Sequence, residues 1–331
     1  LGLLVLSNYH SLTFSYYKSK IEFMKGYFMH KDRLKQICEN KKIDIMGVAP
    51  IGPYFELEKI LNDRKQKEHL TGMEEEDINK RIDPRLIMDD AKSVIVCAFP
   101  YYIGEYRDSN ISKYCYGEDY HIVTKQILTD ICLEIEKEIP DFKYEIFADN
   151  GPLVDRYLAY LSGIGYFGIN NNIITDKYGS YIFIAYVVNN YEFEPDKPSE
   201  KSCLKCNKCV KYCPGNAILG NFEIDPRKCL SYITQKKEEL SESEIQLLKE
   251  NGKVFGCDIC QDVCPHNKDI QTTKICEFNN ELITKINQEE IDEISNKEFK
   301  RRYKNRAFSW RGRKIIKRNL DIISDKNKMD F

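Results

Sequence analysis

Eight of the chain's thirteen cysteines form two proline-terminated groups with one residue between them. The first group is CLKCNKCVKYCP, carrying Cys203, Cys206, Cys209 and Cys213, and the second is CDICQDVCP, carrying Cys257, Cys260 and Cys264, with Cys229 in between. A C-x2-C-x2-C-x3-C-P run wraps three thiolates around one iron–sulfur cubane and turns the fourth toward a second. Two [4Fe–4S] clusters need eight thiolates, and these residues supply them. In the crossed bacterial-ferredoxin arrangement Cys203, Cys206, Cys209 and Cys264 hold one cluster, and Cys213, Cys229, Cys257 and Cys260 hold the other. Such a chain moves electrons one at a time.

Other uses of these cysteines fit less well. A disulfide framework belongs to small secreted domains, whereas this chain has 331 residues and five further cysteines scattered elsewhere. Zinc could use the C-x2-C pairs, but four closely spaced cysteines and a matching half-site exceed the needs of one tetrahedral ion.

The length suits two domains, and 42% hydrophobic with 31% charged residues describes a globular chain. No apolar run approaches the ~18 residues of a membrane span. The opening LGLLVL lacks a basic leader and a cleavage site, so it does not read as a secretory signal. Oxygen-sensitive clusters and free thiols then predict a cytoplasmic protein without membrane contact. Leu1 is not methionine, and residues 1–28 read as an upstream extension of the true start.

The net charge of −2 hides an asymmetry: Lys297 to Arg318 holds eleven basic residues and one acid, so this stretch is +10 and the remainder −12. Interleaved with Tyr303, Phe308 and Trp310, it has the pattern of a nucleic-acid contact, or equally of a solvated helix face packed by its aromatics.

Short apolar runs at Ser93–Phe99 and Tyr181–Val188 predict buried strands, and Tyr144–Ala148 a third. Ile122, Leu128, Ile131, Cys132, Ile135 and Ile139 recur at helical spacing. Pro195 and Pro198 sit in a polar stretch that reads as a linker. Ser241 with Glu244 forms a capping box, and Gly252 supplies a stop, so a short helix separates the cysteine groups. The predicted organisation is α+β: an N-terminal α/β unit over 29–195, a two-cluster ferredoxin-like unit over 196–276, and a basic helical segment over 277–331.

Gly163, Gly165 and Gly168 spell G-x-G-x-x-G, but in the wrong context for a dinucleotide turn. Leu153, Val154, Tyr157, Leu158 and Leu161 predict a helix before the glycines, with Pro152 in its first turn. A Rossmann turn requires strand, loop, helix; the order here is helix, loop, strand. Gly163 reads instead as a helix C-terminal glycine. Asp149, in the D-N-G-P turn before that helix, reads as turn chemistry or as a catalytic group at a strand end.

Taken together, RIDPRLIMDDAKSVIV (Arg81–Val96), YGEDYH (Tyr116–His121), DNGPLVDR (Asp149–Arg156), GIGYFGIN (Gly163–Asn170), GSYIF (Gly179–Phe183), both cysteine groups, CLSYIT (Cys229–Thr234) and WRGRKIIKRN (Trp310–Asn319) resemble the epoxyqueuosine reductase family. The resemblance covers the chain from about residue 30. It implies an N-terminal domain binding cobalamin and a two-cluster domain feeding it electrons from an external low-potential donor. The implied reaction removes the epoxide oxygen of epoxyqueuosine at the wobble position of a tRNA anticodon, the last step of queuosine biosynthesis.

The resemblance implies that Asp149 is the proton donor, which burial would have to hold protonated. Tyr116, Asp119, His121, Asp149, Arg156, Gly165, Gly168, Asn170, Ser180 and Ser231 match cofactor-side positions, with His121 read as lining the pocket rather than ligating cobalt. Arg311, Arg313, Lys314 and Arg318 are the implied contacts to the tRNA anticodon arm, made by a monomer. Three residues depart from the family pattern: Ile169 and Glu118 stand where it usually has lysine and arginine, which removes positive charge from the expected pocket, and Asp155 stands where it usually has glutamate. Two other readings are a cobalamin-dependent reductive dehalogenase and a plain ferredoxin-type electron-transfer module; the twin-arginine leader usual in the former is absent here.

Overall fold

The computed structural model describes residues 29–326; the expected extension over 1–28 lies outside the described residues. In chain order, α1 (Lys31–Asn40), β1 (Met46–Ala49), α2 (Phe55–Gln66) and α3 (Ile78–Ile82) precede β2 (Ser93–Pro100). Then come α4 (Tyr120–Glu138), β3 (Tyr144–Ala148), α5 (Asp155–Leu161), the short β4 (Tyr166–Phe167) and β5 (Ile173–Ile174), and β6 (Ile182–Asn189). The class is α+β, as the sequence predicts.

The main sheet runs β1-β2-β6-β3 and is antiparallel throughout. β2 and β6 pair along their full lengths, from Ser93 opposite Asn189 to Pro100 opposite Ile182. An antiparallel strand usually alternates apolar and polar residues, because one face meets water. β2 does not alternate, because both faces are covered. Ile95, Cys97 and Phe99 pack on Leu34 and Ile37 of α1 and on Leu128 and Ile131 of α4. Val94, Val96 and Ala98 pack on Leu57 and Leu61 of α2 and on Tyr157 and Leu158 of α5.

Local signals and structure differ at three points. Ile122 is 47% exposed; the buried stripe of α4 runs instead through Val123, Leu128, Ile131, Cys132 and Ile135. α5 begins at Asp155 and leaves Pro152 in the preceding loop, because the Tyr186 hydroxyl accepts the Leu153 N–H at 3.2 Å and holds that loop off the helix. The stretch around Pro195 is no free linker: Asp196 accepts the Val48 N–H at 2.9 Å and the Lys31 ammonium at 2.7 Å, fastening it to β1.

The cysteine region comprises α6 (Lys208–Tyr212), β7 (Ile218–Gly220), β8 (Glu223–Ile224), α7 (Leu230–Ile233), α8 (Glu242–Asn251) and α9 (Ile259–Asp262). α8 opens with the predicted capping box of Ser241 and Glu244 and stops at Gly252, whose φ is 61°. The tail forms α10 (Gln288–Glu293), α11 (Asn296–Arg302) and α12 (Arg313–Lys326). Its Ile291, Phe299, Phe308 and Ile316 share one core with Ile111, Tyr116, Val254 and Phe255. Burial of these apolar surfaces seats the tail on both earlier units. Among the described residues no helix is long and apolar enough to cross a membrane.

Candidate active site

The ends of β2 and β6, the 149–156 loop and residues 73–87 enclose a cavity of about 910 Å³. Tyr101, Tyr114, Tyr120 and Phe183 line it with aromatic surface, while Lys80, Arg81 and Arg156 stand among Glu74, Glu75, Asp149 and Asp155 on its charged side. That volume is near the upper end for small-molecule pockets, which run to roughly 1,000 Å³. An aromatic surface beside a polar, mixed-charge side suits a large, flat, amphiphilic macrocycle edged with hydrogen-bonding amides, so the residues present fit a corrinoid.

Asp149 stands on the cavity lining where β3 ends, with a left-handed φ of 63° that is uncommon for a residue with a Cβ. Tyr120 donates its hydroxyl to Asp149 Oδ2 at 2.5 Å, and His121 Nε2 lies 3.5 Å from the same oxygen. Asp119 caps α4 by accepting the His121 backbone N–H at 3.0 Å, and its carboxylate takes the imidazole Nδ1–H at 2.7 Å. The capping turn thus orients the imidazole toward Asp149.

The protein's own groups act on the proton placement at Asp149. Burial in the cleft pushes its carboxyl up, but hydrogen bonds from His121 and Tyr120, with the charges of His121 and Arg156, outweigh it and hold the group below its ordinary value. Its side chain keeps 58% exposure, which leaves the desolvation incomplete. Burial pulls His121 down, yet Asp119 and Asp149 raise it to about 9. At neutral pH the pair is therefore imidazolium and carboxylate. Asp155, which also lines the cavity, has its carboxyl driven well up by burial and by the Asp149 charge.

The eight cysteines sort into two sets of four. Cys203, Cys206, Cys209 and Cys264 line one small cavity together with Gly168, Ile169, Asn170 and His266. Around Cys260, burial is joined by the fields of Cys257, Cys229 and Cys213, all pushing its thiol up. Cys213, Cys229 and Cys257 are thus the thiols that act on Cys260. Backbone N–H groups point at the sulfurs, from Lys205 to Cys203 at 3.4 Å and from Ala217 to Cys213 at 3.2 Å. Four converging sulfurs per set with N–H donors fit two iron–sulfur clusters.

The second set adjoins the large cavity. Tyr101 feels the field of Cys260, and Gln261 of α9 donates to the Tyr101 hydroxyl at 3.3 Å. Arg156 acts in turn on Cys229. Buried Asp258, next to Cys257, accepts from the Ser112 hydroxyl and from the Lys113 N–H, tying the cysteine loop to the N-terminal unit.

Several residues matched by resemblance lie elsewhere. Tyr116 is a core residue, 2% exposed, whose carbonyl accepts from Arg306. Gly165 packs against the Ile174 carbonyl, where a Cβ would come within 2.4 Å. Gly168 and Asn170 line the first cysteine cavity, not the large one. Buried Ser180 bonds Gln261 and Asn267. Ser231 gives its backbone N–H to the Cys229 sulfur. The departures matter less than expected: Ile169 lines the first cysteine cavity, Glu118 accepts from Asn305, and the large cavity takes its positive charge from Lys80, Arg81 and Arg156. Of the 73–87 stretch, Arg81 and the residues after it fall in the RIDPRLIMDDAKSVIV motif, whereas residues 73–80 and Tyr101 carried no motif in the sequence; only the apolar run into β2 pointed toward Tyr101.

In the tail, Arg313 donates to the Ile291 and Asp292 carbonyls at the end of α10, and Arg318 to those of Lys236 and Glu238. These two guanidiniums are structural clamps. Lys314 is exposed, and Arg311 stacks 3.6 Å over the ring of Trp310, itself 55% exposed.

A cavity with an acid–base cluster, wired to two four-cysteine sites, defines an iron–sulfur oxidoreductase. Residues 202–267 match a model described as a 4Fe–4S double cluster binding domain, and residues 81–150 one described as epoxyqueuosine reductase QueG, DUF1730. The epoxyqueuosine reductase of Lactococcus garvieae is 33% identical over 303 residues, spanning 88% of this chain and 85% of that protein. The chain belongs to the epoxyqueuosine reductase family. A solved epoxyqueuosine reductase with an epoxyqueuosine-modified tRNA-Tyr stem loop superposes with a TM-score of 0.81 at 29% identity, covering 88% of this chain and 80% of that one. The Bacillus subtilis enzyme, in a form with its catalytic aspartate loop swung out of the active site, gives 0.78 at 29% identity over 87% and 80% of the two chains.

Proposed function

We propose that this chain reduces the epoxide of epoxyqueuosine in the anticodon arm of tRNA to the cyclopentene of queuosine, releasing water. The observation that carries the reading is the cluster of Asp119, His121, Tyr120 and Asp149 on the lining of a 910 Å³ cavity that adjoins one four-cysteine set. A plain electron carrier needs no such cavity.

The eight cysteines hold two [4Fe–4S] clusters in the crossed pattern, and the cavity holds cobalamin against its aromatic surface and beside Arg81 and Arg156. Cobalamin, when bound, supplies the strongly reducing metal centre that opening the epoxide requires. The protein supplies protons and geometry. Loss of the epoxide oxygen as water consumes two electrons and two protons. His121 carries a proton at neutral pH and shares it with Asp149, so the pair delivers it to the departing oxygen. Asp119 holds the imidazole in the donating orientation, and Asp155 keeps a second proton nearby. Exposed Lys314, with Arg311 and Trp310, contacts the RNA. The reading includes a monomer resident in the cytoplasm.

The test is anaerobic reconstitution with iron, sulfide and cobalamin, followed by dithionite-driven turnover of an epoxyqueuosine-containing stem loop, read by nucleoside mass spectrometry. Absence of queuosine from a protein loaded with both cofactors would refute the proposal.

A further inference from the structure

The surface over the first cysteine set differs in character from the acidic remainder of the chain. From Lys201 to Phe222 there are four lysines and no acid. Lys201 is paired with Asp176 at 2.6 Å, while Lys205, Lys208 and Lys211 are exposed and form no ion pair among the described residues. Among them stand two apolar groups, Leu204 at 65% and Tyr212 at 53% exposure. Of the eight grouped cysteines, Cys206 alone is exposed.

This loop is held in place. The Leu204 N–H donates to His266 Nε2 at 3.4 Å, and His266 Nδ1 meets the Tyr166 hydroxyl at 3.2 Å. Leu204 is thus an exposed apolar anchor on a loop whose Lys205, Lys208 and Lys211 form no ion pair among the described residues, two positions from the exposed Cys206. A small apolar centre with a charged rim is the anatomy of a transient protein interface. The other set is the one beside the substrate cavity, so the first set is the natural entry for electrons.

We propose that Leu204 and Tyr212, together with Lys205, Lys208 and Lys211 of the same exposed segment, are the docking surface for a small acidic one-electron carrier protein that delivers electrons past Cys206. This rests on the reading above, in which the cysteines hold clusters and the reaction consumes two electrons. Each encounter oxidises the carrier by one electron and reduces the first cluster site by one; no bond or proton moves at this surface. Two encounters supply the pair that epoxide reduction consumes. A phosphate backbone would also be drawn to these lysines, but it has no use for an exposed leucine over a cysteine site.

The experiment compares reconstituted wild type with Lys205→Glu/Lys208→Glu/Lys211→Glu, each checked for iron and sulfide, and with Lys208→Glu alone should the triple variant lose iron. A photoreduced acidic [2Fe–2S] ferredoxin is the probe, and bleaching of cluster absorbance in stopped flow is the readout. The variant is expected to be reduced at least about tenfold more slowly, and to lose the wild type's fall in rate with added salt. Bleaching by dithionite, dithionite-driven turnover and stem-loop affinity are expected to stay at wild-type levels. A ferredoxin rate unchanged by charge reversal overturns the proposal, as does an equal slowing with dithionite. Weakened stem-loop binding with an unchanged ferredoxin rate assigns the patch to RNA instead. Missing dithionite-driven turnover in the wild type would count against the enzymatic reading while leaving the docking measurement interpretable.

Discussion

His121 Nε2 stands 3.5 Å from Asp149 Oδ2, with the opposite edge of the imidazole held by Asp119. His121 titrates at about 9, above its ordinary 6.5, so the stability it contributes is complete below 6.5 and is lost as pH rises through 9. Asp149 titrates below its ordinary value, and its share is present above that value and lost on acidification. The thermal midpoint of His121→Gln is therefore expected to fall furthest below wild type near about pH 6 and to rejoin it near about pH 10. A gap persisting undiminished at the higher pH would show that the ion pair is not its source.

Asp149→Asn keeps the side chain's shape and removes its proton chemistry. Turnover is expected to fall by roughly 100-fold or more, the ordinary scale of a lost acid–base group, with iron content and corrinoid absorbance unchanged. Asp155→Asn, by contrast, removes a carboxyl whose ionisation burial disfavours, so its unfolding midpoint is expected to stay at the wild-type value. Equal turnover of Asp149→Asn and wild type would remove Asp149 from the reaction.

Gly215 lies against the carbonyl of Lys228, where a Cβ would approach within 1.9 Å. This backbone contact sets Cys213 beside Cys229. Gly215→Ala is expected to separate those two sulfurs and cost the second cluster while sparing the first, halving bound iron. Full iron content in the purified variant would contradict this.

The basic tail divides into clamps and contacts. Arg313→Ala and Arg318→Ala are each expected to lower stability by about 1–2 kcal/mol through lost hydrogen bonds to carbonyls, with little change in RNA affinity. Lys314→Glu is expected to weaken stem-loop binding and flatten its salt dependence. Fluorescence anisotropy at several salt concentrations, alongside urea unfolding, separates the two effects.

The cysteine grouping was legible in the sequence because ligand spacing is local, and so were the Ser241 capping box and the strand at Ser93. The antiparallel order of the sheet was not, since it depends on β2 pairing with β6 across the chain. Tyr101 and residues 73–80 escaped notice, and Arg81 was seen only as part of a motif, because their role comes from the cavity they line, not from their neighbours in sequence. The donors that hold Asp149, Tyr120 and His121, were not legible as its partners for a related reason: they sit a whole helix and strand earlier. Basic residues such as Arg313 and Arg318 look alike in sequence whether they meet phosphates or carbonyls.

Both cysteine sets draw on the last group, one through Cys264 and the other through Cys257 and Cys260. During synthesis, then, neither set is complete until Cys264 or Cys260 has been made, although Cys203 emerges long before. Metal delivery must wait on the ribosome, and a chain truncated between the two groups would hold five of the eight sulfurs without completing either set.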